Sequence, residues 1–216
     1  MSGLDDVRAQ DGAVSALRRA REHGRIASAY LFDGPSGVGK ELTAKEFATE
    51  VVGRGNPHVV DRIEGGAHPD VRVFRPRDEG KRNIQVEVLR SEILPLAQFA
   101  PFESDATFFI FPEADVSFPE FQPEAANALL KTLEEPPEHV KFIFATTEPQ
   151  KILPTILSRC QRFDLRRIAP AEIVGRLAEI AADEGVEVDE DALQAIARGA
   201  EGGMRDAQSA LDQLIS

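Results

Sequence analysis

With 216 residues the chain has room for one large domain, or for a full domain followed by a small one. Its apolar content of 42% supports a sizeable core, and its formal charge of −12 excludes a surface that grips nucleic-acid phosphates over its whole extent. One cysteine, Cys160, excludes an internal disulfide, and four histidines without paired thiols leave little from which to build a zinc site, a pattern that fits a reducing cytoplasm. The opening MSGLDDVRAQDG carries acids and no apolar core, so neither a signal nor a transit peptide is expected. No apolar run approaches the ~20 residues of a membrane span.

In chain order, Ala13, Val14, Leu17 and Ala20 recur at helical spacing and stop at Gly24. A short strand, Ala29 to Phe32, precedes the glycine-rich stretch Gly34 to Gly39. A second helix then carries Leu42, Ala44, Phe47, Ala48 and Val51 on one face. The segment Gly53 to Asp70 is rich in glycine, proline and histidine and reads as a long connection before the strand Val71 to Phe74. Charges dominate Arg75 to Arg82. Ile84 to Phe99 reads as a helix bent at Pro95, and Thr107 to Phe111, Val140 to Ala145 and Arg162 to Leu165 as strands, with a helix over Pro123 to Leu133. Continuously apolar strands separated by helices imply an α/β fold, a parallel sheet covered by helices on both faces. From Ala169 the texture changes to three amphipathic helices, Pro170 to Ala182, Asp189 to Ala197 and Met204 to Ile215, two of them closed by Gly185 and Gly199. A boundary near residue 168 therefore divides an α/β domain, 1–167, from a small three-helix domain, 168–216.

The stretch Gly34-Pro35-Ser36-Gly37-Val38-Gly39-Lys40 matches the core of a phosphate-binding loop and lies between a strand and a helix, as that motif requires. Its backbone N–H groups and the helix N-terminus suit a polyphosphate, and Lys40 suits the outer phosphates. The next position normally supplies a hydroxyl to Mg²⁺, and here it is Glu41. After the apolar strand Phe108 to Phe111 an acid is expected to hold the metal. Pro112 stands there, followed by Glu113 as a candidate water activator. Two losses at metal-supporting positions predict weak or absent Mg²⁺ binding and weak or absent ATP hydrolysis, while ATP binding itself stays open.

The strings Asn127-Ala-Leu-Leu-Lys-Thr-Leu-Glu-Glu-Pro-Pro137, Ala145-Thr-Thr-Glu-Pro149, Ile152-Leu-Pro-Thr-Ile-Leu-Ser-Arg-Cys160 and Gly203-Met-Arg-Asp-Ala207 resemble the bacterial clamp-loader AAA+ subunits of DNA polymerase III, the gamma/tau and delta prime group. Matching segments run from about Leu4 to Ile215. The resemblance implies an AAA+ domain with a helical lid, in a ring that uses ATP to open a sliding clamp and close it around primed DNA. It implies further clamp-loader subunits (gamma/tau and delta) as partners, and any polymerase activity belongs to the holoenzyme. By the same resemblance Arg159 is an arginine finger for a neighbour's ATP, and Lys40 with the loop, from Gly34, Pro35, Ser36, Gly37, Val38 and Gly39 to Glu41, is the nucleotide site. Glu113 takes the place of a vestigial second Walker B acid, Thr146 or Thr147 of the first sensor, and Arg205 of the second. A guanidinium offers planar, permanently charged donors to the phosphate where charge develops.

Gamma-type members carry a four-cysteine zinc module after the loop helix. Gly53 to His68 has no cysteine, so zinc is not expected, and His58 and His68 read as loop or capping residues. A third, collar domain of the family is not present before Ser216. A degenerate site beside an intact Ser-Arg-Cys element favours a delta prime-like stator over a gamma-like ATPase motor in which Glu41 and Glu113 hold the metal. An interaction module with neither nucleotide nor finger would have no need of Arg159. A stand-alone DNA-binding protein is disfavoured, because the basic groups (Arg75, Arg77, Lys81, Arg82; Arg159, Arg162, Arg166, Arg167) form short clusters without interleaved aromatics.

Overall fold

The computed structural model describes residues 3–53, 56–75, 84–118 and 123–215. Five strands, β1 (Ala29–Asp33), β2 (Val71–Val73), β3 (Thr107–Phe111), β4 (Val140–Thr146) and β5 (Gln161–Asp164), form one sheet in the order β2-β3-β4-β1-β5, every pair parallel. The expected α/β architecture is therefore observed. Within each apolar strand, alternate side chains enter opposite cores. Tyr30 and Phe32 of β1, Phe108 and Ile110 of β3 and Ile143 of β4 face one layer, whereas Leu31, Phe109, Phe111, Phe142 and Phe144 face the other. This period of two explains why the strands read as unbroken apolar runs, since neither face meets water.

The first layer is covered by α1 (Asp11–Glu22), α2 (Lys40–Val52) and α3 (Pro57–Glu64). The second is covered by the segment beginning with α4 (Val86–Val88), and by α6 (Pro123–Glu134) and α7 (Pro154–Leu157), with the short α5 (Ala114–Ser117) after β3. After α4 the chain continues as a π-turn over Leu89–Ile93 and a 3₁₀ turn over Leu94–Gln98. The bend expected at Pro95 thus takes the form of a tightened last turn, because proline has no N–H for the regular ladder.

Besides shifts of one residue at strand ends, the structure departs from the sequence reading in the following places. The long connection before β2 contains α3, capped by the Asn56 carboxamide, which accepts from the His58 N–H at 3.1 Å, with Pro57 in the first turn. Gly199 is the last residue of its helix and does not close it by a left-handed turn, which falls instead on Glu201 (φ 48°) and Gly202 (φ 88°). The last strand runs from Gln161 and ends before Leu165. Arg77, Lys81 and Arg82 lie outside the described residues.

The C-terminal helices α8 (Pro170–Asp183), α9 (Glu190–Gly199) and α10 (Met204–Ile215) bury Ile173, Leu177, Leu193, Ala207 and Leu211 among themselves. They meet the sheet domain where the Met204 N–H donates to the Gly37 carbonyl at 2.9 Å, and just ahead of them the buried Gln10 carboxamide fixes the Arg166 backbone by two hydrogen bonds, at 2.7 and 2.9 Å. Among the described residues no helix is long and apolar enough to cross a membrane.

Candidate functional site

Parallel strands deliver their carboxyl ends to one edge of the sheet, where α/β proteins place ligands. Here β1 runs into the loop Gly34 to Gly39, β3 into Pro112 and Glu113, and β4 into Thr146 and Thr147. Asp33 is level with Thr146 in the β1–β4 register. The loop adopts the backbone that its glycines permit, with φ of 75° at Gly37 and 92° at Gly39, and α2 starts at Lys40. The Lys40 ammonium is buried and donates to the carbonyls of Gly34 at 2.7 Å and Pro35 at 2.5 Å. Burial pulls its pKa below the ordinary lysine value, against the opposing pull of Asp33 and Asp115.

A cleft of about 950 Å³ opens over this edge. Ser36, Gly37, Val38, Gly39, Lys40 and Glu41 line it from the loop, Glu113 and Thr147 from the strand ends, and Arg205 from α10. The loop, Glu113, Thr147 and Arg205 thus meet at one site, as the sequence reading requires. Gly34 and Pro35 contribute through the carbonyls that hold Lys40. Thr146 stands apart from the cleft wall. It is buried, its hydroxyl donates to the Asp115 carboxylate, and it accepts from the Glu148 N–H at 2.9 Å. Of the two threonines, Thr147 is the one with its surface on the cleft. Glu113 is exposed at the start of α5. Arg205 has no ion pair among the described residues.

Glu41 is not free. Its carboxylate accepts from Arg75 at 2.5 Å and pairs with Lys45 at 3.0 Å. Burial works to raise its pKa, but hydrogen bonds from Arg75 and Lys45 outweigh burial and hold the carboxyl below its usual range. Nucleotide fits this site: the intact loop, Lys40 and Arg205 present donors to phosphate. At the metal positions Pro112 offers no ligand atom, Glu41 is paired with two cations and Asp115 accepts from Thr146, while Glu113 lines the cleft with its side chain exposed.

Arg159 lies elsewhere. It precedes the amino end of β5, whereas the phosphate loop follows the carboxyl end of the adjacent β1. Its guanidinium bonds the Glu134 carboxylate of α6 and the Thr155 carbonyl, both at 2.7 Å. Arg162 is paired with Asp33 and Asp164, and Arg167 with Glu201, so much of that basic cluster is satisfied within the chain.

A family profile described as "DNA polymerase III, delta subunit" matches residues 9–169, and one described as "DNA polymerase III clamp loader subunit, ATPase lid domain" matches residues 172–216. The chain belongs to the bacterial DNA polymerase III clamp-loader family. DNA polymerase III subunit tau of Bacillus subtilis is 42% identical to this clamp-loader chain, over 99% of the chain and 38% of the relative. Subunit tau of Escherichia coli is 40% identical, over 98% and 33%. The chain thus spans little more than a third of the length of these curated relatives. Among solved structures, a DNA polymerase III gamma subunit-related protein of Thermotoga maritima superposes with a TM-score of 0.63 at 22% identity, covering 91% of this chain and 57% of that one. The RuvB Holliday junction branch migration motor of the same organism gives 0.70 at 17%, covering 98% and 63%. At those identities the likeness is one of fold, an AAA+ sheet with a helical lid.

Two residues of this clamp-loader chain escaped the sequence reading. Asp115 was not singled out, although it lies two residues after Glu113 and in the first turn of α5. Arg75 was read as part of a charged run, and nothing local pairs it with a residue 34 positions earlier. His68 is a turn residue, as expected: it is buried, and its Nδ1 accepts from the Asp70 N–H at 3.1 Å.

Proposed function

We propose that the chain is a delta prime-like subunit of the DNA polymerase III clamp loader, acting in the cytoplasm with gamma/tau and delta subunits to place a sliding clamp on primed DNA. Its own ATP site is silent in hydrolysis, and it offers Arg159 to the ATP of a neighbouring subunit. The observation that carries this reading is the commitment of Glu41 to Arg75 and Lys45 at the position of the metal-binding hydroxyl, with Pro112 at the second metal position. Nucleotide contacts fall to the loop from Gly34 to Lys40, to Thr147 and to Arg205, and Glu113 is a vestige of the water-activating acid. The AAA+ domain ends at residue 167 and the lid occupies 168–216.

The position of Arg159, at the sheet end away from its own loop, supports action in trans. Its pair with Glu134 is solvent-exposed on both sides, and such pairs are worth roughly 0 to 1 kcal/mol, little enough to yield to a phosphate. One observation favours a second reading, a gamma/tau-type motor: the relatives at 34–42% identity carry gamma or tau names. The test is a reconstituted loader. Arg159→Ala should lower DNA-stimulated ATPase and clamp loading strongly, since an arginine finger is worth ~10³ to 10⁵ in rate, and Arg159→Lys should rescue poorly. Lys40→Ala should do far less. Equal damage from both substitutions gives the motor reading its place.

A further inference from the structure

A phosphate-loop site that uses Mg²⁺ needs a hydroxyl after the loop lysine and an acid after the neighbouring strand, and the ion then neutralises part of the phosphate charge. In this chain both metal positions are altered while the anion-binding parts are kept. Gly37 and Gly39 hold the loop open, Lys40 is buried within it, and α2 presents the N-terminus of a 13-residue helix. Beside Glu41, the residue at the first metal position, stands a guanidinium: Arg75, two residues after β2, reaches the Glu41 carboxylate at 2.5 Å and lines the same cleft as Lys40 and Arg205.

We propose that the cleft binds its nucleotide without a divalent metal, the Arg75 guanidinium supplying positive charge where the metal would stand. A guanidinium carries five N–H donors, so Arg75 can keep one bond to Glu41 and turn others to a phosphate oxygen. Glu41 then serves as the bracket that places Arg75, with Lys45 steadying the carboxylate from one helical turn away at 3.0 Å. A magnesium ion entering the same place would have to take Glu41 from two cations and would find no second ligand at Pro112. The inference rests on the nucleotide-binding part of the functional reading and is independent of the role of Arg159.

The test is calorimetric titration of the chain with ATP and with ADP, in EDTA and in excess magnesium. Affinity in EDTA should equal or exceed that in magnesium within twofold, and Arg75→Gln should weaken binding in EDTA by about tenfold or more, the usual size of a charged hydrogen bond to phosphate. Arg75→Lys should recover part of the loss. Arg75 is half exposed, so these variants keep the fold, and circular dichroism checks it. Tightening by magnesium beyond twofold, an Arg75→Gln variant that binds as well as the parent in EDTA, or no binding of either nucleotide would each overturn the proposal. A loader that still depends on Arg159 leaves the functional reading standing after such a result, whereas indifference to Arg159→Ala sinks that reading whatever the metal does.

Discussion

Replacing Gly37 by alanine asks whether the lid is latched to the phosphate loop. Gly37 has a φ of 75°, and an added Cβ would stand 2.8 Å from the Gly203 Cα. The left-handed backbone alone costs a residue with a Cβ roughly 1–2 kcal/mol. Carbon atoms pack at about 3.5–4.0 Å, so loop and lid must also part by roughly an ångström. That parting strains the bond from the Met204 N–H to the Gly37 carbonyl, 2.9 Å long, which contributes about 1 kcal/mol. Gly66 supplies the control, because its φ is 70° and nothing lies within 4 Å of an added Cβ. Gly66→Ala should lower stability by roughly 1–2 kcal/mol and Gly37→Ala by roughly 2–4 kcal/mol, both read by urea denaturation. Amide exchange at Met204 should accelerate in the Gly37 variant alone. Equal costs with unchanged Met204 protection would refute the latch.

The isolated chain should hydrolyse ATP negligibly with magnesium present, and turnover at ordinary AAA+ rates that Lys40→Ala abolishes would contradict the silent site. Glu41, whose pKa is lowered on balance, contributes stability that is complete above the ordinary carboxylate range near ~4.3 and is lost as pH falls through its folded value. Glu41→Gln should therefore lose its deficit relative to the parent progressively on acidification, and a deficit that does not shrink as pH falls below the ordinary carboxylate range would sink that account. Glu134→Ala should cost less than about 1 kcal/mol of stability, because the pair with Arg159 is exposed. A loss above about 2 kcal/mol would make the pair a structural tie. Purified protein should carry no stoichiometric zinc, which elemental analysis decides.

The sheet was legible because its central strands are buried on both faces, and a run such as Phe108 to Phe111 has no soluble alternative once helices flank it. The lid helices were legible because one face of each is apolar, as in Ile173, Leu177 and Ala181. Helix α3 was hidden by its surroundings. Its capping asparagine and first-turn proline are a start signal, but eight residues between glycine-rich flanks leave only Ile63 buried, too short a stripe to show periodicity. Asp70 was hidden for a different reason. Its buried carboxylate accepts from the N–H groups of Phe102, Glu103 and Ser104 at 2.7, 2.9 and 3.1 Å, a tie across more than 30 residues that no local pattern announces.

The candidate site divides along the same line. Lys40 and the loop are local chemistry, a glycine spacing between a strand and a helix, and they fold where the motif says. The state of the site is decided by partners from elsewhere in the chain. Glu41 in isolation is ambiguous, because a carboxylate beside a polyphosphate either recruits a metal or repels the ligand. Arg75 and Lys45 remove both options by holding it as one corner of an ion-pair cluster, and the depressed pKa follows from that cluster against the opposing effect of burial. Asp115 likewise accepts from the Thr146 hydroxyl, so one of the two carboxylates that follow Pro112 is held within the chain. Each substitution taken singly leaves room for a working metal. Together with their partners they tie Glu41 and Asp115 into bonds within the chain and leave Glu113 as the exposed carboxylate on the cleft.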